Sequence, residues 1–344
     1  MPVVTAWNQR RSYMKNRIIA VAGASGRVGR LVAEGLLSHG HSVRVITRSD
    51  QKIADLAAGG AEVHIGALHD RSFLTNAFRG AAAAFVLTPV DPKALDVNAD
   101  QKRNVEAIVG AIRDSDVRNV VALSSWGADL LETELKGSGI VGCRWLEEGL
   151  NQISGLNVVH LRPVWFMENF LFNIGLIKTA NINGLAIKSD FAFPMIATKD
   201  IAVVASEYLK KLNLSGRTVR YLCGPRNYTM TEVTAALGRA IGKPNLKYIK
   251  LPPILLRKGM IDNGALSPNG ADLAIEITRS IESGRVHAEP RSGLNTTPTT
   301  LEEFATTTFA RAYLSASAAS LSDRVGGQIL RSLLFLSGRY RGAA

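Results

Sequence analysis

The sequence predicts a doubly wound α/β fold, a parallel sheet with helices on both faces, followed by a smaller lobe. Three observations carry that prediction. Short apolar runs rich in β-branched residues alternate with helical patterns through the first half of the chain. A glycine-rich turn, Gly23-Ala-Ser-Gly26-Arg-Val-Gly29, stands directly between the first such run and the first helical pattern. After Pro163 the regular alternation stops.

The first strand is expected over residues 17–22 (RIIAVA), and an amphipathic helical stretch follows the turn as far as His39. Further strands are expected over 42–47, 61–65, 82–88, 119–124 and 156–161, with helices over 97–113 and 141–153 among those filling the gaps. Strands separated by helices pair in parallel through right-handed crossovers, and helices then cover both faces of the sheet. Beyond Pro163, helical segments are expected over 168–178, 200–212, 231–241 and 300–312, with strands only at 218–223 and 247–251. The expected organisation is a disordered extension over 1–16, a nucleotide-binding domain over 17–163, and a smaller substrate lobe over 164–313, interleaved with the sheet edge. A basic tail or helix over 314–344 completes it, with an apolar face from Val325 to Leu336 suited to docking on this chain, on another copy or on a membrane surface.

Composition narrows the function. The 344 residues are 46% hydrophobic, 20% charged and 6% aromatic, which is the balance of a folded globular chain and not of a disordered one. No apolar run reaches the length of a bilayer span, and residues 1–17 lack the apolar centre of a secretory signal. Two cysteines, Cys143 and Cys223, cannot build a disulfide framework, so a cytoplasmic location is expected. The net charge of +12 sits mainly at the ends. Residues 1–17 hold four basic and no acidic side chains, and residues 310–344 hold five arginines against Asp323. With no dense basic stripe between them, no nucleic-acid partner is expected. Six histidines without close ligand spacing argue against a metal, and Ser124-Ser125 has no GxSxG elbow of a hydrolase. Glu147-Glu148 reads as a solvated helix face.

The glycine turn is the strongest functional signal. Backbone N–H groups can approach a pyrophosphate where no Cβ intervenes, and the start of the following helix adds its positive end. A carboxylate at the end of the second strand would bind the ribose 2′-hydroxyl of NAD, but Thr47-Arg48 stands there and the first carboxylate is Asp50. Arg48, with Arg27 in the loop, suits a 2′-phosphate, so NADP(H) is favoured over NAD(H). The alternative for Arg48 is a solvated surface cation. Trp126, Trp165 and Phe166 follow the ends of expected strands, where a planar acceptor could stack, although large aromatics there also suit the core.

Along residues 17–313 the chain resembles the atypical short-chain dehydrogenase/reductases, and among them the NmrA-like group that includes triphenylmethane and quinone reductases. The resemblance rests on GASGRVG, VRVITR, FVLTP, VVALSSWGA, LRPVWFMENF and LEEFA. It implies a Rossmann domain in which Gly23, Ser25, Gly26, Arg27, Val28 and Gly29 hold the phosphates and Arg48 the 2′-phosphate. Leu87, Thr88 and Pro89 would line the ribose side, and Ser124 would lie near the nicotinamide. Two departures matter. Where the family often carries Gly-Asp after the third strand, this chain reads Gly66-Ala67-Leu68, and where Tyr-x-x-x-Lys is usual it has Ile140 and Arg144. The function implied is an NADPH-dependent reductase passing hydride to a small planar acceptor without that pair. The alternative is a protein that senses NADP(H) and does no chemistry. Neither reading fixes the catalytic residues, the acceptor or the oligomeric state.

Overall fold

In a computed structural model, residues 17–135 and 137–317 are described. The extension expected over 1–16 and the apolar helix expected over 325–336 fall outside them. Up to Pro163 the elements are β1 (Ile18–Ala22), α1 (Arg27–Ser38), β2 (Ser42–Thr47), α2 (Ala54–Ala58), β3 (Glu62–Ile65) and α3 (Arg71–Phe78). Then come β4 (Ala83–Leu87), α4 (Val97–Asp114), β5 (Asn119–Leu123), α5 (Val141–Asn151) and β6 (Asn157–Pro163). The chain continues through β7 (Trp165–Phe166), a 3-10 turn (Met167–Asn173), α6 (Ile174–Ala180), β8 (Ile182–Leu185) and β9 (Phe193–Ile196). Next are α7 (Thr198–Lys211), β10 (Arg217–Leu222), β11 (Asn227–Tyr228), α8 (Met230–Ala240) and β12 (Lys247–Lys250). The last are α9 (Pro253–Asp262), α10 (Pro268–Glu282), α11 (Leu301–Phe304), a π turn (Ala305–Phe309) and α12 (Ala310–Ser315).

These elements form two compact units. The first runs to Pro163 and takes up Thr198–Tyr221 again; the second consists of Val164–Ala197 and the chain from Leu222 onward.

The first unit is built on a seven-stranded sheet of order β10-β6-β5-β4-β1-β2-β3. The pairs β1/β2, β1/β4, β2/β3, β4/β5 and β5/β6 are all parallel. Strands such as IIAVA and AAFVL carry apolar residues at every position because helices cover both faces. On one face α3, α4 and α5 pack in succession, and α7 packs against α1 and also touches β4 and β5. The resulting core joins Ile46, Leu74, Phe78, Val86, Ile108, Ile112, Val120 and Leu146, all buried. Helix starts follow ordinary capping chemistry: Asp70 accepts from the Phe73 N–H at 3.0 Å, and Asp96 from the Ala99 N–H at 2.9 Å.

The second unit has a sheet of order β11-β9-β7 and a parallel pair β12/β8. Its helix α8 begins with a reciprocal capping box between Thr229 and Glu232. Two expectations need correction. Beyond Pro163 the sequence suggested two strands, whereas β7, β8, β9 and β11 are present as well, each only two to four residues long and too short for periodicity to reveal. Helix α7 and most of β10, expected in the smaller lobe, cluster with the first unit, where β10 is the seventh strand of the large sheet.

Candidate cofactor and active site

The strand order turns back between β1 and β4, since β2 and β3 lie on one side and β5 and β6 on the other. At such a switch point the loops leaving the carboxyl ends diverge and leave a crevice for a ligand. The glycine loop leaves β1 there. Its Gly23 N–H donates to the Ile46 carbonyl at 3.0 Å, and the Gly26 N–H donates to the Gly23 carbonyl at 2.8 Å, so the loop is tied to β2 and folded on itself. Gly23 has φ +69°, a conformation that favours glycine. A Cβ at Gly29 would lie 2.5 Å from the Gly23 carbonyl oxygen, so α1 can approach the loop this closely only without one.

The loop fits a phosphate group on an observation of this chain. Gly26 is the N-cap of the 12-residue α1, no side chain caps the helix there, and its first turn holds no acidic residue. Ser25, Gly26 and Arg27 are exposed, while Val28 and Gly29 are buried, so Val28 can offer only its backbone. At the end of β2, buried Thr47 donates its hydroxyl to the Ser49 carbonyl at 3.0 Å and closes a tight turn that leaves Arg48 exposed. Ala67, beyond β3, is half-buried and its methyl brings no polar group in place of the family's Asp.

The end of β4 meets this loop. A Cβ on Gly23 would come within 3.0 Å of Leu87. The next residue, Thr88, is buried and donates its hydroxyl to the Gly142 carbonyl at 3.2 Å, linking the strand to the start of α5, and Pro89 is half-buried. Strand β5 runs alongside, with Leu87 opposite Leu123, so Ser124 emerges beside Thr88 on the same edge. The Ser124 N–H donates to the Leu161 carbonyl at 2.8 Å.

Beneath this edge lies a group of charges that the sequence reading missed. The Ser124 hydroxyl donates to Glu147 Oε1 at 2.5 Å. Arg162, on β6, donates from Nε to Oε1 at 2.9 Å and from Nη2 to Oε2 at 2.6 Å. Its Nη1 donates to the Tyr221 hydroxyl at 2.7 Å, and that hydroxyl donates to Asp129 at 3.1 Å. Glu147 is only 5% exposed, so its expected place on a solvated helix face is corrected, whereas its neighbour Glu148 is exposed and pairs with Arg144 at 2.6 Å. Successive helical residues point about 100° apart, which turns one glutamate inward and the other out. Burying a lone carboxylate is costly, and the two-pronged guanidinium contact offsets that cost. Although burial works against its charge, the Glu147 carboxylate holds Arg162 above the usual arginine range. Burial also lowers His160, against the charge of Glu147. The sequence did hold one signal: an arginine near the end of an apolar strand needs a carboxylate partner.

Neither residue at the expected Tyr and Lys positions offers acid–base chemistry. Ile140 is buried, and the Arg144 guanidinium is taken up by the Leu130 carbonyl at 2.6 Å and by Glu148. Trp126 is 4% exposed in the first unit. In the second unit Trp165 and Phe166 are half-buried on β7, opposite Met195 and Ile196, and the Trp165 ring meets Phe193 edge-on at 6.0 Å. Among the described residues no cluster of metal-ligating side chains occurs, and no helix is long and apolar enough to cross a membrane.

Comparison with known proteins agrees with this geometry. A family model described as NAD(P)H-binding matches residues 23–211, more than half of the chain. A (4-alkanoyl-5-oxo-2,5-dihydrofuran-3-yl)methyl phosphate reductase of Streptomyces griseus is 31% identical over 229 residues, which cover 66% of this chain and 75% of that protein. The NADPH-dependent quinone oxidoreductase QOR2 of Escherichia coli, complexed with NADPH, has the same fold with a TM-score of 0.69 at 23% identity, over 85% of this chain and 99% of the other. NmrA, a negative transcriptional regulator solved with NADP, aligns with a TM-score of 0.65 at 17% identity, over 88% of this chain and 98% of its own. The chain belongs to the NAD(P)H-binding family.

Proposed function

We propose that this protein is an NADPH-dependent reductase that passes hydride to a small planar acceptor such as a quinone, an imine or a conjugated compound. The observation that carries the reading is the carboxyl edge of the sheet. There the glycine loop, Thr88 and Ser124 adjoin, and the residues at the usual acid–base positions, Ile140 and Arg144, are buried or committed elsewhere. The similarity to a named reductase at 31% identity supports the same class of chemistry.

In this reading the backbone of Gly23, Ser25, Gly26, Arg27, Val28 and Gly29 binds the pyrophosphate, and exposed Arg48 pairs with the 2′-phosphate, which favours NADP(H) over NAD(H). Leu87, Thr88 and Pro89 flank the ribose, and Ser124 faces the nicotinamide end. Trp126, in the loop after β5, is the aromatic residue of the first unit proposed for the acceptor. The bound cofactor supplies the hydride, while the chain supplies position and excludes water.

The test is NADPH oxidation, followed by the loss of reduced-nicotinamide absorbance, with a panel of quinones, imines and enones. Turnover with members of the panel is expected. Tight NADPH binding with no turnover across the panel would replace this reading with the cofactor-sensing one.

A further inference from the structure

The buried cluster at Ser124 does more than fill space, because it fixes the direction of a hydrogen bond. A serine hydroxyl has one proton and two acceptor lone pairs, whereas an ionised carboxylate can only accept. Glu147 accepts at Oε1 from Ser124 and from Arg162 Nε, and at Oε2 from Arg162 Nη2. With both of its oxygens accepting from a guanidinium, the Glu147 carboxylate can only accept from Ser124 as well, so the serine hydroxyl is the donor in that contact. The backbone of the serine is fixed by the bond from its N–H to the Leu161 carbonyl, and the residue is 4% exposed. Its remaining capacity is therefore two lone pairs, at the edge beside Thr88.

We infer that Glu147, locked by Arg162, is a positioning residue that makes Ser124 a fixed hydrogen-bond acceptor for an N–H donor at the nicotinamide end of the bound cofactor. A carboxamide N–H group is the donor available on that part of NADPH. The same arrangement means that Ser124 does not act as a proton donor to a reduced acceptor. The inference rests on the placement of Ser124 at the nicotinamide end, but not on turnover.

Binding of NADPH and of 2′-phospho-ADP-ribose, which lacks the nicotinamide, separates this role from a purely structural one. Calorimetric titrations would compare the unmodified protein with Ser124→Ala, Glu147→Gln and Glu147→Asp, each with its melting temperature. Ser124→Ala removes the acceptor. Glu147→Gln keeps the shape but gains an N–H that can donate to Ser124 and release its proton. Glu147→Asp keeps a negative charge for Arg162 and withdraws it from Ser124. Each variant is expected to weaken NADPH by roughly five- to tenfold, the worth of one hydrogen bond, and to leave the nicotinamide-free analogue within about twofold. Ser124→Ala combined with Glu147→Asp should be no weaker than the worse single change, because both act on one contact.

Parallel weakening of both ligands would show a structural role and overturn the inference, as would unchanged NADPH affinity in the folded variants. If Glu147→Gln does not fold, Ser124→Ala and Glu147→Asp decide. Failure of the quinone panel together with the expected binding pattern would remove the reductase reading and leave this inference standing. Loss of NADPH binding by the unmodified protein would remove both.

Discussion

The Arg48 guanidinium stands exposed one residue beyond buried Thr47, whose hydroxyl shapes the turn that presents it. A charge-assisted contact to a 2′-phosphate is worth about 1.5 to 3 kcal/mol. Arg48→Ala should therefore weaken NADPH by that amount and hardly change NADH, and the unmodified protein should bind NADPH more tightly than NADH. Equal titration curves for the two cofactors would contradict this. Cys143 supports a second prediction at the same scale. Part of the residue remains exposed, yet burial pushes its thiol from an ordinary value of 9.0 up to about 12, with the Glu147 charge adding and Thr88 opposing. The folded value lies above the unfolded one, so the neutral thiol contributes its full stability below pH 9, and that contribution is lost between pH 9 and about pH 12 as unfolded chains release the proton. Urea midpoints measured from neutral to alkaline pH should fall more steeply for the unmodified protein than for Cys143→Ala, and identical slopes would refute the assignment. At this scale the sequence was partly legible. Thr47-Arg48 could be read directly because a single position decides the contact, but Glu147 could not be told from Glu148, since its partner Arg162 is brought to it only by the pairing of β5 and β6.

Among the elements, the glycine loop behaves differently at its two later glycines. Gly26 is extended, at φ −86° and ψ 168°, and a Cβ there would lie 3.1 Å from the Gly23 carbonyl, tight but outward on an exposed residue. Gly29 is buried, and a Cβ would lie 2.5 Å from the same oxygen. Gly26→Val is therefore expected to keep the circular dichroism spectrum while abolishing cofactor binding. Gly29→Ala should destabilise the fold itself by about 1 to 3 kcal/mol, through forced backbone movement. A chemical melt and an NADPH titration on both variants separate the two effects. If Gly26→Val binds at near-normal affinity, the loop does not hold the phosphates. The strands β1, β4 and β5 were legible because burial on both faces leaves a nearly continuous apolar signature, whereas β3 (EVHI), at the sheet edge, was legible only by its place in the alternation. The strands β7 and β11 have two residues each and owe their existence to pairing with β9, which a local pattern does not encode.

For the molecule as a whole, the chain leaves the first unit at Pro163 and re-enters it at Thr198 to supply α7 and β10. That return escaped the sequence because a helix and a strand carry the same local pattern in either unit, and only the edge of β6 decides where β10 pairs. It also brings in Tyr221, which donates to Asp129 and accepts from Arg162, so the buried charge group at the sheet edge is completed by a segment distant in sequence. The direction of chemistry follows from what this edge lacks. Oxidising a secondary alcohol requires a base to take the hydroxyl proton as hydride leaves, and general acid–base assistance is commonly worth about 10²- to 10⁴-fold. Here Ile140 is apolar, Arg144 is engaged by Leu130 and Glu148, and the Ser124 proton is committed to Glu147. Quinones can draw the proton of their reduced form from water and escape that requirement. NADPH oxidation with quinones should accordingly exceed NADP reduction by sugar nucleotides or secondary alcohols by about 100-fold or more at matched cofactor concentration. Robust alcohol turnover would show that a group at this edge does act as acid or base, and replacing Ser124 and Arg144 in turn would show whether either of them supplies it.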